Sequence, residues 1–405
     1  MAGTRWVSQA LEDVRARGLW RSLDRRVVVG RQGRVVMVRG KPVLCFASND
    51  YLGLAGADVV VAAAQRLLAR CGAGAGASRH ITGSMTIHGE LERALADFFN
   101  AEQALLFGSG TLANLGIIST LVGPGDAVFS DELNHASLID GCRLSKANVH
   151  IYRHGDVKHL EELLTTLPAR RRLIVTDAVF SMDGDLAPLA DITRLAKAHD
   201  VMTLVDEAHA VGVLGGGRGL TAALGLTHDV TVRMGTLGKA LGSYGAFALC
   251  STPLAELLVN RARTVIFSTA LPPSVCGAAL AALDEVKAGT RVEKLAELQQ
   301  VAMREIDARG LTHLLPSQLQ GLHSLPTPIL PILVGDNGEA LRLADALEAE
   351  GFLVVGIRPP TVPPGTARLR VALSAVHRPE DIIALCDALQ RLLRPAFQDV
   401  RAAVG

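Results

Sequence analysis

The chain has 405 residues, of which 49% are hydrophobic and 20% are charged, a composition typical of a globular protein with two domains or one large α/β domain and an appendage. A formal net charge of +1 gives no basic excess to neutralise a phosphate backbone, which argues against nucleic acid as a partner. No apolar stretch is long enough to span a membrane and the N-terminus has no signal-peptide pattern, so we expect a cytoplasmic protein with no membrane partner. The six cysteines include no Cys-x-x-Cys pair, so we expect free thiols.

Residues 1–48 predict an amphipathic helix and three short strands, which we expect to form an N-terminal segment of their own. Residues 1–20 are expected to form the helix, because Trp6, Ala10, Leu11 and Val14 recur at helical spacing among charged residues. Glycines separate the strands, which are expected at Val27–Val29, Val35–Val38 and Val43–Phe46.

Residues 49–288 alternate β-rich runs with helical patterns, which predicts a mostly parallel sheet with helices on both faces. In such sheets ligands bind at the carboxyl ends of the strands. Three candidate groups fall at such ends: Asp177, Asp206 and the turn Thr236–Lys239. The strands are expected at Arg172–Thr176, Val201–Val205 and Val230–Met234, and helices at Val59–Cys71 and Leu189–Asp200.

Residues 289–405 predict a smaller C-terminal α/β domain. Its proline-rich segment 359–365 is expected to be a rigid loop between two strands. Helices are expected at Leu295–Arg309 and Glu339–Glu350, and strands at Ile329–Val334, Phe352–Ile357 and Arg368–Leu373.

The strongest functional signal is Lys239, on a turn of small residues that also carries Thr236. Asp206 and His209 follow the preceding strand. This set suits pyridoxal phosphate (PLP), because the amine can form a Schiff base with the cofactor aldehyde, the carboxylate can face the pyridine nitrogen, and the hydroxyl can meet the phosphate. Once released from the cofactor, Lys239 can also act as a base.

Two nucleotide-binding interpretations of the same residues fail. A phosphate loop needs a glycine five residues before Gly238 and a serine or threonine after Lys239, where Arg233 and Ala240 stand instead. Asp206-Glu207-Ala208-His209 spells a helicase box, but no phosphate loop precedes it. Without its partners, Lys239 would be read as a surface lysine.

Two further features have a structural and a functional interpretation. His135 follows a predicted strand at Ala127–Ser130 and either caps a helix or stacks on a cofactor ring. Gly108–Thr111 precedes a helical run, so it is either an ordinary cap or a phosphate site. Of Arg368 and Arg370, one could pair with a substrate carboxylate and the other is structural.

Together these residues resemble the α-oxoamine synthases, a branch of the fold-type I PLP-dependent enzymes, over nearly the whole chain. The family joins an amino acid to an acyl thioester with loss of carbon dioxide. Segments 334–337 and 357–363 are most similar to the member that uses L-alanine and a pimeloyl thioester, carried by coenzyme A or a carrier protein. Members that use glycine or serine with another acyl-CoA are the alternative. The matching motifs are 48–54, 78–79, 88–92, 134–138, 179–185, 206–209, 236–239 and 267–269.

The resemblance implies roles for the predicted site residues, with no metal among the cofactors. Lys239 would form the Schiff base, with Asp206 on the pyridine nitrogen and His209 on the ring oxygen. His135 would stack on the ring, with Ser181 near it. The resemblance thus implies four catalytic residues, Lys239, His135, Asp206 and His209, whereas Ser181 would only bind the cofactor.

The same resemblance assigns the phosphate, the substrates and the partner subunit. The phosphate would be held by Gly110, Thr111 and Thr236, and by Thr269 of a neighbouring subunit, which implies a homodimer with the site at its interface. The amino acid carboxylate would meet Asn49 and Arg370, and the acyl substrate Arg21 and Thr361. Two positions depart from the family pattern: Asp177 replaces a glutamate, and Thr111 replaces an aromatic residue.

A different class of function is a noncatalytic subunit with the same fold that only supports a partner. Such a subunit would be recognised by loss of the cofactor lysine, and Lys239 is present. The sequence therefore favours an enzyme.

Overall fold

The computed structural model describes residues 4–324 and 326–402, and the chain divides into two compact units. One is contiguous and comprises Asn49–Ala296, whereas the other combines Met1–Ser48 with Glu297–Gly405. The sequence-based division at residues 48 and 288 stays a prediction.

The elements alternate along most of the chain. The strands are β1 Val28–Val29, β2 Val35–Val38, β3 Lys41–Cys45, β4 Gln103–Phe107, β5 Ala127–Asp131, β6 Asn148–Tyr152, β7 Arg172–Asp177, β8 Met202–Asp206, β9 Val232–Thr236, β10 Ala246–Cys250, β11 Ile329–Gly335, β12 Phe352–Leu353, β13 Val355–Ile357 and β14 Ala367–Ala372. The helices are α1 Arg5–Ala16, α2 Asp58–Cys71, α3 Thr86–Phe98, α4 Gly110–Leu121, α5 Ala136–Ser145, α6 Val157–Thr166, α7 Leu189–Ala198, α8 Leu220–Ala223, α9 Thr252–Arg261, α10 Arg263–Ile266, α11 Pro273–Ala288, α12 Thr290–Ala308, α13 Asn337–Ala349 and α14 Pro379–Ala402.

The contiguous unit is built on a seven-stranded sheet in the order β4-β10-β9-β8-β7-β5-β6. Strands β5 to β9 are parallel, and β10 is antiparallel to both of its neighbours. The prediction of a mostly parallel sheet flanked by helices is therefore confirmed. Helices pack against these strands through a core that includes Leu105, Ile117, Leu138, Leu204 and Leu258.

The register of the sheet brings the polar strand ends together. Asp177, the last residue of β7, lies directly opposite Asp206, the last residue of β8. Thr236 ends the next strand, and the turn with Lys239 follows it. All three positions lie at the carboxyl edge of the sheet, where a ligand of a parallel sheet binds.

The second compact unit contains two small sheets. The first has the order β1-β2-β3-β12 and the second the order β11-β14-β13. β12 is parallel to β3, so it joins the sheet of the N-terminal segment rather than the C-terminal one. None of the helices within residues 4–324 and 326–402 has the length and apolar character needed to cross a membrane.

Most predicted elements agree with the observed ones to within two residues at each end, and three differ by more or in their pairing. The single strand predicted at Phe352–Ile357 is wrong, because the chain passes from one sheet to the other at the fully buried Val354. α12 begins five residues before the predicted Leu295, since Gly289 (φ +82°) ends α11 and the next helix starts at once. α1 ends at Ala16, short of the predicted residue 20, and Gly18 follows with φ +64°.

Gly235 of β9 lies near the turn that carries Lys239, and its substitution tests how tightly the sheet is packed there. Gly235 lies opposite Phe247 of β10, and a Cβ at Gly235 would overlap the buried Phe247 ring. We expect Gly235→Ala to lower the free energy of unfolding by about 1–3 kcal/mol, because the ring must leave its position. Denaturant unfolding measures this, with Gly74→Ala as control, since a Cβ there meets no atom within 4 Å. Equal effects of the two changes would contradict the prediction.

Candidate active site

Lys239 begins a chain of hydrogen bonds at the carboxyl edge of the sheet. Its Nζ lies 2.8 Å from His209 Nε2, and His209 Nδ1 lies 2.7 Å from the hydroxyl of Tyr51. The Tyr51 hydroxyl donates to Asn49 Oδ1 at 3.2 Å. Because the Tyr51 hydroxyl donates to Asn49, His209 Nδ1–H donates to the Tyr51 oxygen. When the Lys239 amine is the donor, it donates to Nε2 of His209, which is 5% exposed.

Asp206, the acid of the predicted set, is buried at 3% exposure, and each of its oxygens accepts a hydrogen bond. Oδ1 accepts from the backbone N–H of Ala208 at 2.9 Å, and Oδ2 accepts from Asn114 Nδ2 at 2.8 Å. Asn114 also donates to Ser137 Oγ at 2.9 Å. These bonds fix the orientation of the Asp206 carboxylate and leave each oxygen capacity for a further donor.

His135 caps α5 and lies within the electrostatic reach of both Asp206 and Lys239. Its ring Nδ1 is 2.7 Å from Ser137 Oγ, and its backbone N–H donates to Asp177 Oδ2 at 2.6 Å. Partial desolvation of the ring lowers the pKa of His135, an effect that Asp206 opposes and the Lys239 charge reinforces. The helix-cap and cofactor-facing interpretations of His135 are therefore compatible.

Asp177 lies opposite Asp206 and is buried as well. Burial, reinforced by the negative charge of Asp206 opposite it, raises the pKa of Asp177 well above its usual range, although the His135 backbone N–H opposes this. Two adjacent buried carboxylates are costly to ionise together, so we infer that Asp177 is the one that stays neutral.

The amino end of α4 supplies groups that can hold an anion. Ser109 caps the helix: its Oγ accepts from Leu112 N at 3.2 Å and its carbonyl from Ala113 N at 2.9 Å. The N–H groups of Gly110 and Thr111 precede the first intrahelical bonds and can donate to a phosphate. Thr236 Oγ1 accepts from Gly238 N at 3.2 Å and donates to the Gly245 carbonyl at 3.0 Å, which ties the lysine turn together.

The remaining predicted residues of this unit lie in loops at its surface. Ser181 follows β7 and is half-buried. Thr269 is exposed and forms an isolated antiparallel bridge with Ser78.

Three predicted substrate residues belong to the other compact unit. Arg21 Nη2 donates to the Pro359 carbonyl at 3.3 Å, so it lies beside the loop that carries Thr361. Arg370 lies on β14 and is buried at 6% exposure. Of the predicted set, the structure thus brings Lys239, His209, Asp206, His135 and Asn49 together within one unit.

Two residues of this network were not predicted. Tyr51 lies within a quoted motif, yet its contact with His209 joins positions 158 residues apart. Asn114 is fully buried in α4 between the apolar residues Ala113 and Ile117, and a buried amide in an apolar helix face was the signal that could have revealed it.

The donor set fits PLP. An amine, a buried and oriented carboxylate, an imidazole and a helix amino end converge on one edge of the sheet, and these are the groups that the cofactor's aldehyde, pyridine nitrogen, ring and phosphate require. No cluster of histidine, cysteine and acidic side chains that could hold a metal occurs among residues 4–324 and 326–402. The Glu207 carboxylate of the helicase-like box accepts from Leu220 N at 2.6 Å and from Thr221 N at 3.0 Å, so it binds the amino end of α8.

The hydroxyl of Tyr51 provides a test of the hydrogen-bond chain. Tyr51→Phe leaves His209 Nδ1–H and Asn49 without their shared partner, so we expect kcat/KM to fall about tenfold, the equivalent of one hydrogen bond. The matched control is Tyr152→Phe, because the Tyr152 side chain is also buried but no hydrogen bond joins its hydroxyl to His209 or Asn49 in the described part of the chain. Steady-state kinetics of both variants decide the point, and equal losses would argue against a special role for Tyr51.

Comparison with known proteins gives a consistent set of relatives. The family model for aminotransferase class I and II matches residues 41–389. An 8-amino-7-oxononanoate synthase of Anaeromyxobacter dehalogenans is 49% identical over 389 residues, which cover 96% of this chain and 95% of the relative.

Solved structures of other enzymes are also similar over most of the chain. A serine palmitoyltransferase variant from S. paucimobilis with a bound PLP–myriocin aldimine has a TM-score of 0.88 and 31% identity, covering 97% of this chain and 98% of its own. An 8-amino-7-oxononanoate synthase from Francisella tularensis has a TM-score of 0.74 and 28% identity, covering 88% and 99%.

Proposed function

The chain belongs to the class I and II aminotransferase family, and within it we propose the activity of an 8-amino-7-oxononanoate synthase with PLP as cofactor. L-alanine condenses with a pimeloyl thioester of coenzyme A or a carrier protein and gives 8-amino-7-oxononanoate, carbon dioxide and the free thiol, a step of biotin biosynthesis. The observation that carries this proposal is the 49% identity over 96% of the chain with a synthase of that name.

Different site residues would hold different parts of PLP. The cofactor supplies an aldehyde and an electron-accepting ring. Lys239 Nζ would hold the aldehyde carbon, and Asp206 would accept from the protonated pyridine nitrogen. His135 would face the ring, and the amino end of α4 with Thr236 would hold the phosphate.

Proton movement at the substrate is assigned to Lys239. Once alanine has displaced it, its amine is free to take the proton from the alanine Cα, while His209 Nε2 accepts a hydrogen bond from it. The new bond joins this Cα to the acyl carbon, and the C–S bond breaks, so that the sulfur leaves as a thiolate that takes a proton from water. The alanine carboxylate group then leaves as carbon dioxide. Lys239 then returns a proton to the same Cα.

The charge around Arg21 supports an acyl chain that ends in a carboxylate, as pimelate does. Arg358 donates to the Trp20 carbonyl at 2.6 Å, and its pKa is lowered by burial and by the positive charges of Arg21 and Arg25. Arg25 is paired with Asp345, so the charge of Arg21 beside Arg358 is the positive charge available to an anionic group. We propose that Arg21 and Thr361 contact the acyl substrate, and that Arg370 and Asn49 contact the alanine carboxylate.

We also propose a homodimer with the active site at its interface, as is typical of this fold. Ile81 is 75% exposed and Phe267 is 69% exposed, and both are close in sequence to the bridged residues Ser78 and Thr269. Large apolar side chains of this kind favour contact with another protein surface. Thr269 would then reach the phosphate of the neighbouring subunit. Sedimentation equilibrium tests the proposal, and a purely monomeric active enzyme would contradict it.

The deciding experiment compares amino acids and acyl thioesters with the purified PLP-loaded protein. L-alanine, glycine and L-serine are each tested with pimeloyl-CoA and palmitoyl-CoA, and the visible spectrum and product mass are followed. Alanine with pimeloyl-CoA should be the productive pair. A preference for serine or glycine would leave the family assignment intact but would contradict the proposed substrate. Failure to bind PLP would refute the whole proposal.

A further inference from the structure

His154 lies just beyond β6, and its ring contacts aspartates that follow two other strands. Nδ1 is 2.9 Å from Oδ1 of Asp131, the last residue of β5, and Nε2 is 2.8 Å from Oδ2 of Asp185, in the turn after β7. The side chains of His154, Asp131 and Asp185 are only 16%, 2% and 10% exposed. Since β6, β5 and β7 are neighbours in the sheet, one imidazole joins the carboxyl ends of three adjacent strands.

The contacts of Asp131 indicate the protonation of one ring nitrogen of His154. Asp131 accepts from the backbone N–H groups of Leu133 at 2.9 Å and Gly155 at 3.0 Å, so its carboxylate is an acceptor and His154 Nδ1 must carry a proton. Asp185 Oδ1 is buried without a hydrogen-bond partner in the part of the chain that the structure describes. The contact between His154 Nε2 and Oδ2 is therefore the main polar anchor of that side chain.

Both ring nitrogens face carboxylate oxygens, but a neutral imidazole has only one N–H to donate. A doubly protonated ring satisfies both contacts. Burial alone would lower the pKa of His154, but the hydrogen bonds and charges of Asp131 and Asp185 raise it to about 10. A third acid, Glu132, accepts from the backbone N–H of His154 at 2.9 Å.

Asp185 belongs to the turn 180–185, which is closed by two backbone hydrogen bonds. Phe180 N donates to the Asp185 carbonyl at 3.0 Å, and Gly184 N donates to the Phe180 carbonyl at 2.8 Å. The Phe180 ring packs at 86° to the His154 ring, with centroids 4.3 Å apart. His154 thus contacts both ends of the turn, and Ser181 lies between them.

We propose that His154 is a positioning residue that, by donating from both ring nitrogens, fixes the turn 180–185 with Ser181 against the end of β5 that leads to His135. Asn134 N donates to the Asp131 carbonyl at 3.2 Å, so the anchored strand end continues directly into the His135 cap. The inference rests on the proposed function only in taking Ser181 and His135 as two walls of the cofactor site.

The protonation of His154 is tested without any substrate. In protein labelled with ¹⁵N-histidine, the ring signals of His154 are assigned by their loss in His154→Gln and read at pH 8. We expect both ring nitrogens to carry protons. A ring with one unprotonated nitrogen at that pH would overturn the proposal, because Asp185 would then hold the proton. This result is independent of whether the chain condenses alanine with a thioester.

The positioning role is tested by a double-mutant cycle of His154→Gln and Asp185→Asn in the PLP-loaded enzyme, at a temperature where all variants are folded. Each single change should lower kcat about tenfold, and the double variant should be no worse than His154→Gln alone, because the two residues act as one unit. Amide hydrogen exchange should accelerate in segments 131–135 and 180–185.

The matched control is His159→Ala. The His159 ring accepts from Arg153 N at 3.1 Å beside the same strand, but no hydrogen bond joins it to Asp131 or Asp185. Its kcat and its exchange in the two segments should stay close to the unmodified protein. Additive losses in the cycle, or exchange that rises evenly over the whole chain, would show a general loss of stability and would overturn the positioning role.

Discussion

Lys239→Ala should lower turnover by at least roughly 10⁴-fold, since the change removes both the covalent attachment of the cofactor and the base at the substrate Cα. In the structure Nζ lies 2.8 Å from His209 Nε2, which fixes the amine where both tasks are performed. The condensation assay measures the loss. Borohydride reduction followed by mass spectrometry should place PLP on the peptide with Lys239 in the unmodified protein and on no peptide of the variant.

The control for this prediction is Lys158→Ala, an exposed lysine on α6. It should keep both full turnover and the reducible cofactor on Lys239. Turnover of Lys239→Ala near that of the unmodified protein would refute the assignment of the cofactor lysine. Loss of turnover with the cofactor still attached at another lysine would refute it as well.

Asp206→Asn should lower kcat by about 10²–10³-fold, the range found when one electrostatic contact to a developing charge is removed. An amide has the shape of the carboxylate but cannot balance a protonated pyridine nitrogen. The donors Ala208 N and Asn114 Nδ2 would also meet an amide in place of two acceptor oxygens. Single-turnover kinetics and the cofactor's visible band report the change.

Asp177→Asn is the informative comparison, because Asp177 is the paired aspartate on the neighbouring strand. Burial and the Asp206 charge raise its pKa well above the usual range, so a neutral amide resembles its natural state. We expect a loss smaller than tenfold, since the amide oxygen can still accept from His135 N. A larger loss for Asp177→Asn than for Asp206→Asn would reverse the two roles.

Local patterns were sufficient to predict the elements that carry the site. The apolar runs before Asp177 and Asp206 are buried strands, and their ends meet because parallel strands place their carboxyl ends at one edge. Because Asp206, His209 and Lys239 follow successive strands, their proximity could therefore be predicted from the sequence.

Contacts between distant positions could not be predicted in this way. The Tyr51–His209 bond spans 158 residues and the Asn114–Asp206 bond 92, and no periodicity encodes either. The division of Phe352–Ile357 between two sheets was also not predictable, because five of its six residues are apolar and show the same local preference whichever partner strand they pair with.

The two ends of the chain meet in one compact unit, and this has a consequence during synthesis on the ribosome. Leu44 of β3 pairs with Phe352 of β12, so the early strand leaves the ribosome 308 residues before its partner. At roughly 5–20 residues per second the nascent strand waits about 15–60 s. The contiguous stretch Asn49–Ala296 can fold in that interval, while the edge of β3 that later pairs with β12 has no partner and is open to pairing with another chain.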